Sequence, residues 1–113
     1  MQNEIPIIQK MYDFYREFYQ SRSQMPKQDR HAIGQKIENK TLDLLADLIH
    51  ASRTDRKSKP EYLEEAAVKL DALKLFLRLA EDVKAISTKK YLSLSEKLQE
   101  IGKMLGGWLR SLN

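Results

Sequence analysis

The stretch YLSLSEKLQEIGKMLGGWLRSL, residues 91–112, decides the fold class. Its apolar residues follow one another at alternating gaps of three and four. They are Tyr91, Leu94, Leu98, Ile101, Leu105, Trp108 and Leu112. Residues at these spacings lie on one side of an α-helix. The stretch therefore predicts a long helix that packs this apolar seam against partner helices.

Small residues form a second stripe beside this seam. Gly102, Gly106 and Gly107 would together cost about 3 kcal/mol relative to alanine if all three lay inside the helix. Two explanations are open at this point. Another helix approaches the backbone closely, or the helix ends at Gly106 and Gly107 and Trp108 anchors the chain beyond that end.

The remainder of the chain contains three further periodic segments, which makes the protein all-α and a single domain over residues 1–113. The four predicted helices span approximately 5–22, 27–54, 60–86 and 88–112. Pro26 and Pro60 stand at two helix starts, and Ser87 is placed to cap the fourth helix. Gly34 interrupts the second helix, either because a neighbour approaches closely or because the helix is imperfect.

Aromatic residues are concentrated in the first helix. Five lie between residues 12 and 19, and Arg16 and Arg22 stand among them or just beyond them. Rings beside cations can stack on nucleic-acid bases. A small helical protein has few other large side chains with which to fill its interior, so we expect most of these rings in the core.

The third helix has more apolar surface than a helix needs to pack into one bundle. Its apolar residues between 70 and 86 cover an arc of about 220°, whereas a surface helix needs a stripe only a little over about 100° wide. The excess predicts self-association, because an exposed apolar patch usually marks an interaction surface. A central helix in a monomer is the alternative. The predicted oligomer interface comprises Leu75, Leu79, Val83, Gly102, Gly106 and Trp108.

The formal net charge is +4, and its distribution suggests an anionic partner. Residues 1–60 carry +3, residues 61–86 carry −2 and residues 87–113 carry +3. Nucleic acid fits this pattern, although solvated lysine-rich helix surfaces produce it too. The candidate nucleic-acid contacts are Lys27, Arg30, Lys36, Arg53, Arg56, Lys57, Lys59, Lys89 and Lys90. The last two oppose the dipole of the fourth helix, which favours an external role for them.

Lys74 and Arg78 are candidates for binding a protein partner. They stand four residues apart on the polar strip of the third helix, opposite its apolar arc. Acidic residues within one turn offer the alternative of ordinary intrahelical ion pairs.

The sequence offers little for catalysis. It has no cysteine and two histidines, His31 and His50, which are not spaced as a metal-binding pair. It lacks a Gly-rich phosphate loop, a nucleophile elbow and a carboxylate pair in an apolar setting. We therefore expect no enzyme activity, no cofactor and no metal. The absence of a signal-peptide pattern and of a long apolar run predicts a cytoplasmic protein without a membrane partner.

Three segments in this order resemble one protein family. They are Met25-Pro-Lys-Gln-Asp-Arg30 followed by Gly34, Lys69-Leu-Asp-Ala-Leu-Lys-Leu-Phe-Leu-Arg-Leu-Ala80, and Ile101-Gly-Lys-Met-Leu-Gly-Gly-Trp-Leu109. The family comprises the accessory variability proteins of diversity-generating retroelements and the proteins encoded in intervening sequences of ribosomal RNA genes. The resemblance extends from about residue 5 to residue 112.

This resemblance implies an antiparallel up-down four-helix bundle that assembles into a homopentameric barrel. In the retroelement branch, the bundle performs no chemistry. It binds the reverse transcriptase and template RNA, with DNA as a further candidate, and supports mutagenic cDNA synthesis. Lys74 and Arg78 match basic positions of the family, although lysine at 74 replaces the commoner arginine and lacks its bidentate geometry. The ribosomal branch implies the alternative, a structural or protein-interaction bundle with no nucleic-acid role.

Overall fold

The computed structural model of the protein describes residues 4–113, which form four long helices and one helix of a single turn. In chain order they are α1 (Glu4–Ser23), α2 (Lys27–Arg30), α3 (Ile33–Arg53), α4 (Lys59–Asp82) and α5 (Thr88–Ser111). The described residues include no β-strand. The predicted all-α fold class is confirmed.

The long helices form an antiparallel up-down bundle that measures 44 × 22 × 19 Å. Each long helix packs against the next one in the chain, and α5 returns to pack against α1. Two ion pairs show that α1 and α5 run in opposite directions. Lys10 of α1 pairs with Glu100 of α5, whereas Glu17, further along α1, pairs with Lys97, which comes earlier in α5. Short connections between the helices favour this arrangement.

The core is built from the apolar stripes that the sequence predicts. Of the seam in α5, the residues Leu94, Leu98, Ile101, Leu105 and Trp108 are buried, and Tyr91 and Leu112 lie half-buried at its ends. Thr41 is the polar residue at the centre of α3. Its hydroxyl donates to the carbonyl oxygen of Ile37 at 2.7 Å, which satisfies the buried group.

The aromatic residues of α1 divide between the core and the surface. Phe14 and Phe18 are fully buried, but Tyr12 and Tyr19 are 54% and 59% exposed, and Tyr15 is half-buried. The expectation that most of these five rings fill the core is therefore wrong. Phenylalanine has no polar atom to satisfy, whereas a tyrosine hydroxyl needs water or a hydrogen-bond partner, so the two types separate onto two faces of the helix.

Residues 27–54 form two helices where the sequence predicts one. The chain turns at His31 and Ala32, between α2 and α3. Arg22 of α1 holds this turn, because its Nε and Nη2 donate to the carbonyl oxygen of Arg30 at 3.1 and 2.9 Å. A Cβ atom on Gly34 would lie 3.1 Å from the carbonyl oxygen of Asp29. Close approach therefore accounts for this glycine.

α4 ends at Asp82, four residues before the predicted boundary. Lys84 has a φ of 65° in the left-handed region, the amide of Ala85 donates to the carbonyl of Ala80 at 2.8 Å, and that of Lys84 donates to Glu81 at 2.9 Å. This is a Schellman motif, which satisfies the last carbonyl groups and reverses the chain. The predicted cap of α5 is confirmed, since Ser87 Oγ accepts from the amide of Lys90 at 3.1 Å.

Candidate interaction surfaces

The outward side of α4 is an apolar face, which we define by Leu75, Leu79 and Val83. These side chains are 57%, 42% and 60% exposed. The opposite side of the same helix, which includes Leu73 and Leu77, lies in the core. The wide arc therefore has two separate faces, and α4 is not a central helix of the single chain. An unpartnered apolar face of this kind is typical of an interaction surface.

The other residues of the predicted oligomer interface lie elsewhere. Trp108 is buried in the core of the single chain and is not available to a neighbouring copy. Gly102 and Gly106 are half-buried and lie on the side of α5 that faces α4. The structure thus keeps Leu75, Leu79 and Val83 together but separates them from the two glycines.

The glycines of α5 line a groove, because the helix continues through them to Ser111. A Cβ on Gly102 would meet only side-chain atoms, Leu70 Cδ2 and Lys74 Nζ, at 3.5 Å each. Both explanations that the sequence leaves open for these glycines therefore fail, because the helix does not end there and no helix backbone of this chain packs closely against them. The groove between α4 and α5 has a volume of about 470 Å³. Its lining includes Leu70, Lys74, Gly102, Lys103, Gly106 and Leu109.

Uncompensated positive charge borders this groove. Lys74 lines it, and Arg78 lies one turn further along α4 on the exposed side. Neither side chain forms an ion pair or hydrogen bond with any residue that the structure describes. Lys74 and Arg78 therefore do not form the intrahelical ion pairs that the nearby acidic residues would allow. The structure leaves these two cations available to an external partner.

The nine candidate nucleic-acid contacts fall at opposite ends of the bundle. Lys27, Arg30 and Lys36 lie around α2, and Lys89 and Lys90 lie at the start of α5, so these five are at one end. The other four lie at the opposite end, with Arg56 and Lys57 in the loop between α3 and α4, Arg53 at the end of α3 and Lys59 at the start of α4. α4 joins the two ends and has 24 residues, so they are about 36 Å apart. The nine residues do not form one continuous surface on a single chain.

Some of these cations stabilise the bundle itself. Arg56 Nη2 donates to the carbonyl oxygen of Ser111 at 3.0 Å, and Lys59 Nζ donates to that of Ala51 at 2.6 Å. Both contacts satisfy carbonyl groups at helix C-termini, where positive charge is favourable. Of the remaining candidates, Arg30 and Lys90 are half-buried. Five are exposed to solvent, namely Lys27, Lys36, Arg53, Lys57 and Lys89.

Two ion pairs between helices also have a structural role. Glu17 lies 2.9 Å from Lys97 and 4.0 Å from Lys90. Burial alone raises the pKa of the Glu17 carboxyl, but its hydrogen bonds and the charges of both lysines outweigh burial and hold this pKa below its usual value. Lys69 donates to Asp47 at 2.5 Å, and this hydrogen bond raises the pKa of Lys69 despite burial. Both pairs link neighbouring helices.

A face of tyrosine and arginine on α1 lies outside the core, where the sequence predicts most of its rings. The guanidinium carbon of Arg16 lies 5.9 Å from the ring centre of Tyr12, and the ring centres of Tyr15 and Tyr19 are 6.1 Å apart. The signal was present in the sequence. The tyrosines share one helical stripe and the phenylalanines another, and only the second stripe is free of polar atoms.

No group of three or more histidine, aspartate or glutamate side chains among residues 6–113 could hold a metal ion. None of the helices that the structure describes combines the length and the apolar character that are needed to cross a bilayer.

The fold and its surfaces define a four-helix bundle with exposed apolar and cationic faces. The sequence matches the bAvd-like family over residues 5–112, and the chain belongs to that family. The predicted resemblance is thus confirmed.

A solved structure has the same fold. It is a protein of unknown function from the S23 ribosomal protein family of Bacteroides thetaiotaomicron VPI-5482. The TM-score is 0.85 at 17% sequence identity, and the alignment covers 96% of this chain and 98% of that chain. At this identity, the likeness concerns the fold alone. The comparison with curated proteins gave no match.

Proposed function

We propose that the protein is the non-catalytic accessory subunit of a diversity-generating retroelement, which binds the element's reverse transcriptase and its template RNA. Membership of the bAvd-like family supports an accessory role of this kind. The observation that carries the proposal on this chain is the pair Lys74 and Arg78, which form no ion pair or hydrogen bond with a described residue. Cations without partners favour an interface with an anionic surface of a partner.

The assembly that we propose is a homopentameric ring formed through the apolar face of α4. Assembly would cover Leu75, Leu79 and Val83, which a single chain leaves exposed. It would also repeat the basic ends of the bundle around the ring. Repetition lets several weak phosphate contacts act together, because linked sites bind with a high effective concentration.

In this proposal the α4 cations bind the polymerase, and the basic bundle ends bind nucleic acid, including cDNA. Affinity for RNA should then fall steeply as salt rises, because each neutralised phosphate releases counterions. The alternative is a structural or protein-interaction bundle of the ribosomal intervening-sequence type, with no nucleic-acid role. A reverse transcriptase gene beside the coding sequence would support the retroelement role, and a position inside a ribosomal RNA gene would support the alternative.

Charge reversal on α4 tests the polymerase contact. We expect Lys74→Glu with Arg78→Glu to weaken binding to the element's reverse transcriptase by about a hundredfold, because like charges brought together at an interface cost several kcal/mol. Binding is measured by biolayer interferometry with immobilised polymerase.

A matched control separates position from total charge. Lys36→Glu with Lys40→Glu changes the net charge equally and has the same spacing on α3. We expect this variant to bind the polymerase like the parent protein. Equal loss in both variants, or no loss in the α4 variant, would contradict the assignment of Lys74 and Arg78.

A further inference from the structure

Two tyrosines on α1 are exposed, and neither hydroxyl forms a hydrogen bond with a described residue. Tyr12 and Tyr19 stand seven residues apart, which places them about 10.5 Å apart along the outward side of the helix. Arg16 lies between them and stacks near the ring of Tyr12. Alternating rings and guanidinium groups are the arrangement on which the bases of a single strand stack.

A cleft opens between the rings of this face. It has a volume of about 260 Å³ and is lined by Tyr15, Arg16, Tyr19 and Gln20. The hydroxyl of Tyr15 donates to Glu38 of α3 at 3.1 Å, so one wall of the cleft is held in place. The rings of Tyr15 and Tyr19 already contact each other, with centres 6.1 Å apart and planes tilted by 41°, so a base stacks on their solvent-facing sides and not between them.

A second cleft begins at Tyr19 and is lined by cations. Its volume is about 170 Å³, and its lining includes Arg22, Ser23, Arg30 and His31. Arg22 is occupied, because it donates to the carbonyl of Arg30 and pairs with Glu38.

Arg30 is not compensated in this way. It forms no ion pair with a described residue, and its Nε is buried without an acceptor among them. The second cleft thus offers positive charge to an anionic group.

We infer that the outward side of α1, together with the turn around α2, binds a single strand of nucleic acid. Bases stack on Tyr12 and Tyr19 and enter the cleft beside Tyr15. A phosphate group at the end of the same face accepts hydrogen bonds from Arg30 and His31. This inference rests on the proposed nucleic-acid role and names the surface that performs it.

Charge and ring chemistry favour this ligand over a protein. The face places aromatic rings next to an arginine that lacks a carboxylate partner, and a polynucleotide supplies planar bases and phosphates at regular intervals. A stacking surface also binds single strands in preference to duplexes, since the bases of a duplex are already stacked on one another and do not expose their faces.

The test compares single-stranded and duplex RNA on the full chain. Fluorescence anisotropy measures the affinity of a labelled oligouridylate and of an RNA duplex of equal length. We expect Tyr12→Ala with Tyr19→Ala to weaken oligouridylate binding at least about tenfold and to leave duplex binding within about twofold of the parent value. Tyr12→Phe with Tyr19→Phe keeps both rings and should bind like the parent.

Leu92→Ala is the matched control, because Leu92 is equally exposed but lies on α5. We expect it to change nothing. The inference is overturned if the alanine double variant keeps its single-strand affinity, if it loses duplex affinity to the same extent, or if it loses only polymerase binding. The last result would make this face a protein contact. If the parent protein binds no RNA at all, the nucleic-acid part of the proposed function fails as well.

Discussion

Leu75→Glu with Leu79→Glu is expected to convert the proposed ring to folded monomers. Fully burying one leucine side chain contributes about 2 kcal/mol, and these two are 57% and 42% exposed, so covering both contributes about 2 kcal/mol, or about thirtyfold in the association constant. Unpaired carboxylates in an apolar interface add a further cost. The bundle itself should remain folded, because both side chains already face solvent in the single chain. Sedimentation velocity measures the mass, and circular dichroism measures the helix content.

Leu92→Glu is the control for this experiment. It places the same charge on an equally exposed leucine of α5, away from the apolar face of α4. We expect this variant to sediment like the parent protein. A parent protein that sediments as a monomer would contradict the proposed role of the α4 face. An assembly that survives both glutamate substitutions would contradict that role as well.

Gly34→Ala is expected to destabilise the fold by about 1 to 2 kcal/mol. The new Cβ would lie 3.1 Å from the backbone oxygen of Asp29, which cannot rotate away as a side chain would. That oxygen also accepts the amide of Ala32 at 3.2 Å, and Arg22 holds the same turn through the carbonyl of Arg30. The neighbour therefore has little freedom to move. Urea unfolding followed by circular dichroism measures the free energy of unfolding.

The same substitution at Gly107 should have the opposite sign. A Cβ there would meet only Arg110 Nη2, at 3.9 Å, and the residue lies inside α5. Replacing an interior helical glycine by alanine stabilises a helix by about 1 kcal/mol where space permits. If Gly34→Ala were as stabilising as Gly107→Ala, the tight contact between the α2 turn and α3 would be refuted.

The sequence predicts those parts of the fold that depend on local periodicity. The seam from Tyr91 to Leu112 lies along the core side of α5, and Ser87 caps that helix. The division of α4 into a core face and an outward apolar face also follows from counting residues around a helix. Each of these features depends on neighbours within one or two turns.

The features that escape prediction depend on contacts between distant residues. The break between α2 and α3 requires Arg22 of α1 to reach the carbonyl of Arg30. The cations of the loop between α3 and α4 look alike in sequence, but Arg56 satisfies the C-terminus of α5. The tyrosines and phenylalanines of α1 form separate stripes in the sequence, but only the packed structure shows that the tyrosine stripe faces solvent.

The most direct test of the proposed function asks whether the protein joins polymerase and template. Reverse transcriptase from the same element is immobilised, and labelled template RNA is added at low salt with and without the protein. We predict that the protein increases the retained RNA several-fold, and that the increase is lost with Lys74→Glu and Arg78→Glu or on raising the salt. Equal RNA retention with and without the protein, at every protein concentration, would contradict the account.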